Sequence, residues 1–226
     1  MIGVGPDVNK RTYDAAGRQA RSAETRQRIV DAARHLILTN GYRATTIAAV
    51  AAEADVSVDT VYELVGRKPV LLRELIEQAI SGTDHAVTAT ERDYVKAMRA
   101  EPRPAIKLAI YARAVREVHS RMAPLFLALR DASSTEPEAH RVWEAISQRR
   151  AANMRTLVRD LRETGGLRPD VSVEDAADAL WAMNSPELYV LLTADRGWSP
   201  RRFERWLADA LCRLLLTRDA GEPTGP

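Results

Sequence analysis

The sequence predicts an all-α chain, and three observations carry that prediction. Strand signals are missing: no run alternates β-branched and polar residues, and no Asn-Gly or Asp-Gly turn joins two such runs. Ala, Leu, Arg and Glu dominate, and all four favour helix. Apolar residues recur at helical spacing, in stretches that open on Ser, Thr or Pro and close near Gly.

The elements follow in order. Met1 to Arg21 is expected as a flexible basic arm. Ser22 can cap a first helix, with Glu24 in its first turn and Ile29, Ala32, Ala33 and Leu36 as its inner stripe. Asn40-Gly41 ends it, since glycine suits a left-handed C-terminal position. Thr46 opens a short second helix with Ile47, Val50, Ala51 and Ala54 inward. Ala54-Asp55-Val56-Ser57 is a tight corner, and Asp55 tolerates a left-handed turn better than most residues. Ser57 caps a third short helix that buries Val61, Leu64 and Val65. Pro69 fits the first position of a fourth, whose stripe is Leu71, Leu72, Leu75, Ile76 and Ala79.

Ser81-Gly82-Thr83 reads as a break between residues 22–80 and a second domain, residues 84–218. Tyr94 to Arg99 lies in an amphipathic stretch that ends near Pro102 and Pro104. Ile106, Ala109, Ile110, Val115 and Val118 mark the next, which Pro124 kinks or restarts. Pro137 opens a long helix that Gly165-Gly166 ends. Val173 to Met183 is expected to be helical. Asn184-Ser185-Pro186-Glu187 is a break, with Ser185 a cap and Pro186 the first residue of the next helix. Gly197-Trp198-Ser199-Pro200 repeats that signal before a last helix, Phe203 to Leu216. Residues 219–226 are expected as a disordered tail.

Composition bounds the function. An apolar content of 46% across 226 residues excludes a disordered chain. The longest uncharged runs, such as Ala44 to Ala52, are about half the length a membrane-spanning helix needs. The N-terminus has no apolar leader segment, so a cytoplasmic location is expected. A single cysteine, Cys212, excludes an intramolecular disulfide framework and a multi-cysteine zinc site. The four histidines, His35, His85, His119 and His140, show no metal-ligand spacing. No phosphate loop and no nucleophile elbow is present. Neither an enzyme, nor a cofactor, nor a bound metal is expected.

The net charge of +2 conceals an uneven distribution. Residues 10–28 carry six basic side chains (Lys10, Arg11, Arg18, Arg21, Arg26, Arg28) against Asp14 and Glu24. Residues 55–80 carry three (Arg67, Lys68, Arg73) against five acidic ones. Near-neutrality therefore does not exclude a polyanionic partner.

Two short helices joined by a four-residue corner, within residues 46–65, form the pattern of a helix-turn-helix. A wider set of residues is more specific. Thr25-Arg26, Ile29, Ala32-Ala33 and Leu36 are followed by Gly41-Tyr42 and Thr45-Thr46-Ile47. Then come Val56-Ser57, Thr60-Val61-Tyr62, Lys68 and Leu71-Leu72. This segment, about residues 22–75, resembles the TetR family of transcriptional regulators. The resemblance implies a three-helix DNA-binding domain followed by an antiparallel helical domain for ligand binding and dimerisation. It implies a homodimer that binds a double-stranded DNA operator, most often as a repressor, and that an unknown small-molecule effector releases. Asp55 stands where the family often has Gly, and Ile37 and Val65 where it often has Phe.

Physical roles follow for the residues at the corner. Thr46 either caps its helix or gives a hydrogen bond to phosphate at the helix N-terminus. Thr45 has a contact or turn role, and Arg43 precedes the helix within reach of phosphate. Ser57, Val58 and Asp59 open the recognition helix; Val58 suits a thymine methyl, and Asp59 a cytosine amine or simply the helix dipole. Thr60, Tyr62 and Lys68 align with DNA-contacting positions of the family. Asp59 and Glu63 support the rival reading, a helical homodimeric interaction module whose DNA-binding head no longer functions.

In the second domain the candidate pocket residues are Arg113, His119, Trp143, Met154, Trp181, Asn184 and Tyr189. Each reads more simply as a core aromatic or a solvated surface residue. Trp206, Leu207, Leu211 and Leu214 form the stripe that the resemblance places at a dimer interface. Two-fold symmetry would then require a palindromic operator with half-sites about 34–36 Å apart.

Overall fold

The computed structural model describes residues 8–83 and 87–217, with side chains from Gly17 onward. It divides into two compact units, Met1–Leu75 and Ile76–Pro226. The boundary falls inside a helix, not at Ser81-Gly82-Thr83 as the glycine suggests. The last turn of that helix is gripped by the second unit: Ile76 and Ala79 are buried, Arg121 donates to the Ala79 carbonyl at 3.0 Å, and Glu77 pairs with Arg149.

The first unit contains α1 (Val8–Asn40), α2 (Ile47–Glu53), α3 (Val58–Leu64) and the start of α4 (Lys68–Ser81). Ser22 is not a cap. It lies inside α1, which begins at Val8, so residues 8–21 are helical and not a separate arm. Between Val8 and Ser22, Gly17 is the residue least suited to helix, at about 1 kcal/mol, and no proline there supplies a stop. Residues 1–7 of the expected arm lie outside the described residues.

Ile29, Val30, Ala33, Val50, Val61, Leu71, Leu72 and Leu75 are wholly buried, along the stripes that helical spacing predicts. Leu36 and Leu64 are only partly so, and Ile37 takes the innermost place at the end of α1. Thr46 and Ser57 cap α2 and α3 as expected, accepting from the backbone N–H of Ala49 and Thr60, each at 3.1 Å. Between these helices Asp55 turns the chain at φ +53°, and Val56 N–H donates to the Ala51 carbonyl at 3.0 Å. Arg26, counted among the basic residues of the N-terminus, is committed internally. It pairs with Glu74 and donates to the Leu64 carbonyl at 3.2 Å.

Beyond the end of α4 the second unit has a short 3₁₀ turn (Ala89–Glu91) and α5 (Asp93–Ala100). Then follow α6 (Pro104–Ser133), α7 (Pro137–Glu163), α8 (Val173–Met183), α9 (Pro186–Val190) and α10 (Pro200–Leu215). Helix α6 is central, packing on α5, α7, α9 and α10, while α8 packs on α7. Pro124 does not break α6. Its neighbours Met122, Ala123, Leu125 and Phe126 are buried, and that packing holds the helix across the missing hydrogen bond. Ser185 and Ser199 cap α9 and α10, each before a Pro at the first helical position. A π-helical turn, Leu191–Asp195, extends α9 without any signal in the sequence.

An isolated bridge pairs Leu167 with Leu216, so the end of α10 is tied to the α7–α8 connection. Gly166 is required there. A Cβ would stand 2.3 Å from the Pro104 ring. Lys107 is buried and forms an ion pair of 2.5 Å with Asp160 across α6 and α7. The tail at residues 219–226 lies outside the described residues.

Candidate functional sites

The first site is the outer surface of the corner in the first unit. Ser57, Val58, Asp59 and Tyr62 are exposed, with Val58 at 39% and Tyr62 at 50%. Helix α3 buries Val61 alone within its length, so these side chains have no core to enter. Thr60 is half-buried, its hydroxyl 2.8 Å from that of Ser57. Arg43 and Thr46 are exposed beside the start of α2.

Two residues expected at this surface are used differently. Thr45 is buried, and its hydroxyl donates to the Gly41 carbonyl at 2.9 Å. It closes the turn after α1, and a buried hydroxyl so engaged is not presented outward. Lys68 folds back onto Tyr42: its ammonium donates to the Tyr42 carbonyl at 3.1 Å and lies 4.0 Å from the ring centroid. It ties the start of α4 to the turn before α2, so positioning accounts for it without a phosphate.

The second site is a cavity of about 490 Å³ inside the second unit. That volume falls within the range of small-molecule sites. Ile80, Val95, Met98, Val115, Val118, Met122, Ile146, Met154 and Leu157 give it apolar walls. Of the residues the sequence singles out, His119, Met154 and Asn184 line it. Four others do not. Arg113 points outward and pairs with Glu117. Tyr189 packs edge-on against His119 and Phe203 and shares a 2.8 Å hydrogen bond with Ser120. Trp143 and Trp181 line a smaller recess of about 240 Å³ with Phe126 and Ser147. Helical spacing does not separate a wall facing a cavity from a wall facing core.

The polar groups at the buried end of the cavity form one cluster. The Tyr111 hydroxyl donates to the Met154 sulfur at 2.9 Å, and the Asn184 amide donates to the same sulfur at 3.8 Å. The His119 Nε2 lies 3.3 Å from the Asn184 carbonyl. The Arg150 guanidinium donates to the Asn184 and Trp181 carbonyls at 2.5 and 3.3 Å, closing the C-terminal end of α8. His119 Nδ1 and Asn184 Oδ1 are buried and have no hydrogen-bond partner among the described residues. Burial, and then the adjacent Arg150 charge, push the His119 pKa down to about 3, so its imidazole is neutral near pH 7. Burial pushes the Tyr111 phenol up and the Arg150 guanidinium down.

Tyr111 and Arg150 are not among the pocket residues that the sequence singles out. Tyr111 sits between Leu108 and Val115 on the stripe of α6 and reads as core. Arg150 follows Arg149 in a charged stretch and reads as solvated surface. The dimer stripe needs a similar correction. Leu207 and Leu211 are wholly buried in the chain's own core, since α10 turns its strongest apolar face onto α6. Only Trp206, partly, and Leu214, at 38%, reach the surface.

No helix among the described residues is long and apolar enough to cross a membrane. Residues 29–75 match the family model described as "Bacterial regulatory proteins, tetR family". No curated protein sequence matches the chain. Among solved structures, the fold is shared with a transcriptional regulator from Saccharomonospora viridis in complex with choline. The TM-score is 0.66 at 20% identity, over 86% of this chain and 99% of that one. The fatty acid degradation regulator FadR from Bacillus halodurans gives 0.67 at 16% identity, over 83% and 94%. FadR from Bacillus subtilis in complex with stearoyl-CoA gives 0.64 at 18% identity, over 82% and 96%.

Proposed function

From residues 29–75 as a tetR-family segment, we propose that the chain is a DNA-binding transcriptional regulator governed by a small molecule. The observation that carries this is the outer face of α3. Val58, Asp59 and Tyr62 stand exposed on a helix whose N-terminus is capped and whose inner face is buried. That helix lies in the DNA major groove; Val58 meets a thymine methyl, and Arg43, Thr46, Ser57 and Tyr62 contact phosphate or base edges. Thr60 and Asp59 complete the start of the helix, and Lys68 positions it through Tyr42.

The protein acts as a homodimer, with the exposed parts of α8 and α10, including Trp206 and Leu214, meeting their symmetry mates. Its operator is therefore palindromic, with half-site centres about 34–36 Å apart. The cavity takes the effector, and its occupancy releases the operator, which makes the protein a repressor. The similar structures named with choline and stearoyl-CoA support a regulator whose effector is small.

Selection of bound duplexes from a random DNA pool tests the proposal. Recovery of a two-fold symmetric sequence is expected. Absence of any enriched sequence would leave the chain as an interaction module and overturn the reading.

A further inference from the structure

The buried end of the cavity holds hydrogen-bond donors on a poor acceptor. A thioether sulfur accepts weakly, yet the Tyr111 hydroxyl and the Asn184 amide both point at Met154 Sδ. Beside them Arg150 is a largely buried cation. Among the described residues its bonds go to the carbonyls of Trp181 and Asn184, not to a carboxylate. Glu187, whose charge it senses, is already paired with Arg130. A buried charge without a counter-charge is costly, and donors aimed at sulfur improve whenever an oxygen replaces it.

The rest of the cavity lining carries the same sign. Arg92, Arg99 and Arg159 line it without an ion-pair partner among the described residues, and the Arg92 Nε is buried and unpaired. The acids there are Asp160, which is held by Lys107, and Glu163.

We propose that the effector is an amphiphilic carboxylate. Its apolar body lies along Met98, Val115, Met122, Ile146 and Leu157. Its carboxylate sits at the buried end, accepting from the Tyr111 hydroxyl and the Asn184 amide beside Arg150. His119 stays neutral there and its Nε2–H is turned to the Asn184 carbonyl, so it adds no second cation and gives the carboxylate no hydrogen bond. This inference rests on the ligand-binding half of the proposed function and names the chemical class of its ligand. It does not depend on the DNA-binding half.

The test is thermal unfolding of the full-length chain with four probes of equal chain length: decanoate, methyl decanoate, decanol and decyltrimethylammonium. Decanoate is expected to raise Tm by about 3 °C or more at roughly ten times its Kd. The two neutral probes should raise it less, and the cation not at all. The Tyr111→Phe variant keeps the ring and the packing, so it should fold and lose most of the decanoate shift. Arg150→Gln should lose the preference for decanoate over decanol. Equal stabilisation by the cation and by decanoate would overturn the proposal. So would no shift with any probe, or a full decanoate shift in Tyr111→Phe. DNA selection without ligand is read separately, so failure of the operator reading is distinguishable from failure of the ligand class.

Discussion

The outer face of α3 and the buried end of the cavity differ in how their polar groups are used. Around α3 the local partners are in place: Ser57 accepts from the Thr60 amide, Thr45 closes its turn, and Lys68 bonds Tyr42. What remains exposed is a small set of side chains on a rigid frame. At the cavity the reverse holds. The Tyr111 hydroxyl and the Asn184 amide both donate to a thioether sulfur, a poor acceptor. On the proposed function, a surface that reads a fixed partner gains from being pre-organised, whereas a ligand pocket keeps donors that the ligand improves.

Breaking each region should therefore have different consequences. The largest effect is expected at the Lys107–Asp160 ion pair, whose Asp160 lines the cavity. Asp160→Asn leaves the buried Lys107 ammonium unpaired and should cost about 3–5 kcal/mol, measured by urea unfolding. Lys107→Met removes the buried charge itself and leaves Asp160, one-third exposed, to water, so it should cost much less. Equal losses from the two would show that an uncompensated buried ammonium is not what Asp160→Asn costs.

The next effect depends on pH. His119 titrates near 3 in the folded chain, against an ordinary 6.5. Between those values the unfolded chain takes up a proton that the folded chain refuses. Stability therefore falls as pH drops below 6.5, by about 3 kcal/mol at pH 4, and this contribution is flat above 6.5. His119→Gln should lose that part of the acid sensitivity. Parallel unfolding curves for both proteins between pH 7 and 4 would contradict a neutral buried imidazole.

Smaller effects belong to the first unit. Ser57→Ala removes the cap of α3 and should cost about 1 kcal/mol, seen as a lower urea midpoint. Asp55→Ala places an ordinary side chain at φ +53° and should cost about 1 kcal/mol, while Asp55→Gly should cost little or nothing. Equal destabilisation by Ala and Gly would mean that the Asp55 side chain, not the backbone, makes the corner.

The same contrast explains what was legible in the residues. Ser57, Thr46, Gly41 and Pro186 act within a few residues of themselves, so their caps and turns were readable in order. The start of α1 was not, because helix continues wherever nothing stops it, and residues 8–21 hold no proline. The π-turn after α9 and the continuity of α6 through Pro124 depend on packing between distant segments. At the sites, Tyr62 and Val58 were readable because so short a helix has one inward position. Tyr111 and Arg150 were not, because only the tertiary fold distinguishes a core face from a cavity face. Leu207 and Leu211 failed for the same reason, since an apolar stripe does not say whose core it enters.

On the proposed function, the α3 face reads DNA while the cavity serves another molecule. The most direct measurement is fluorescence anisotropy of a duplex recovered by selection, titrated with the wild-type chain, Tyr62→Ala and Tyr111→Phe. Tyr62→Ala should weaken binding about 10- to 100-fold, equivalent to about 1.4–2.8 kcal/mol, and Tyr111→Phe should leave the affinity unchanged. Unchanged binding by Tyr62→Ala, or an equal loss in both variants, would contradict it.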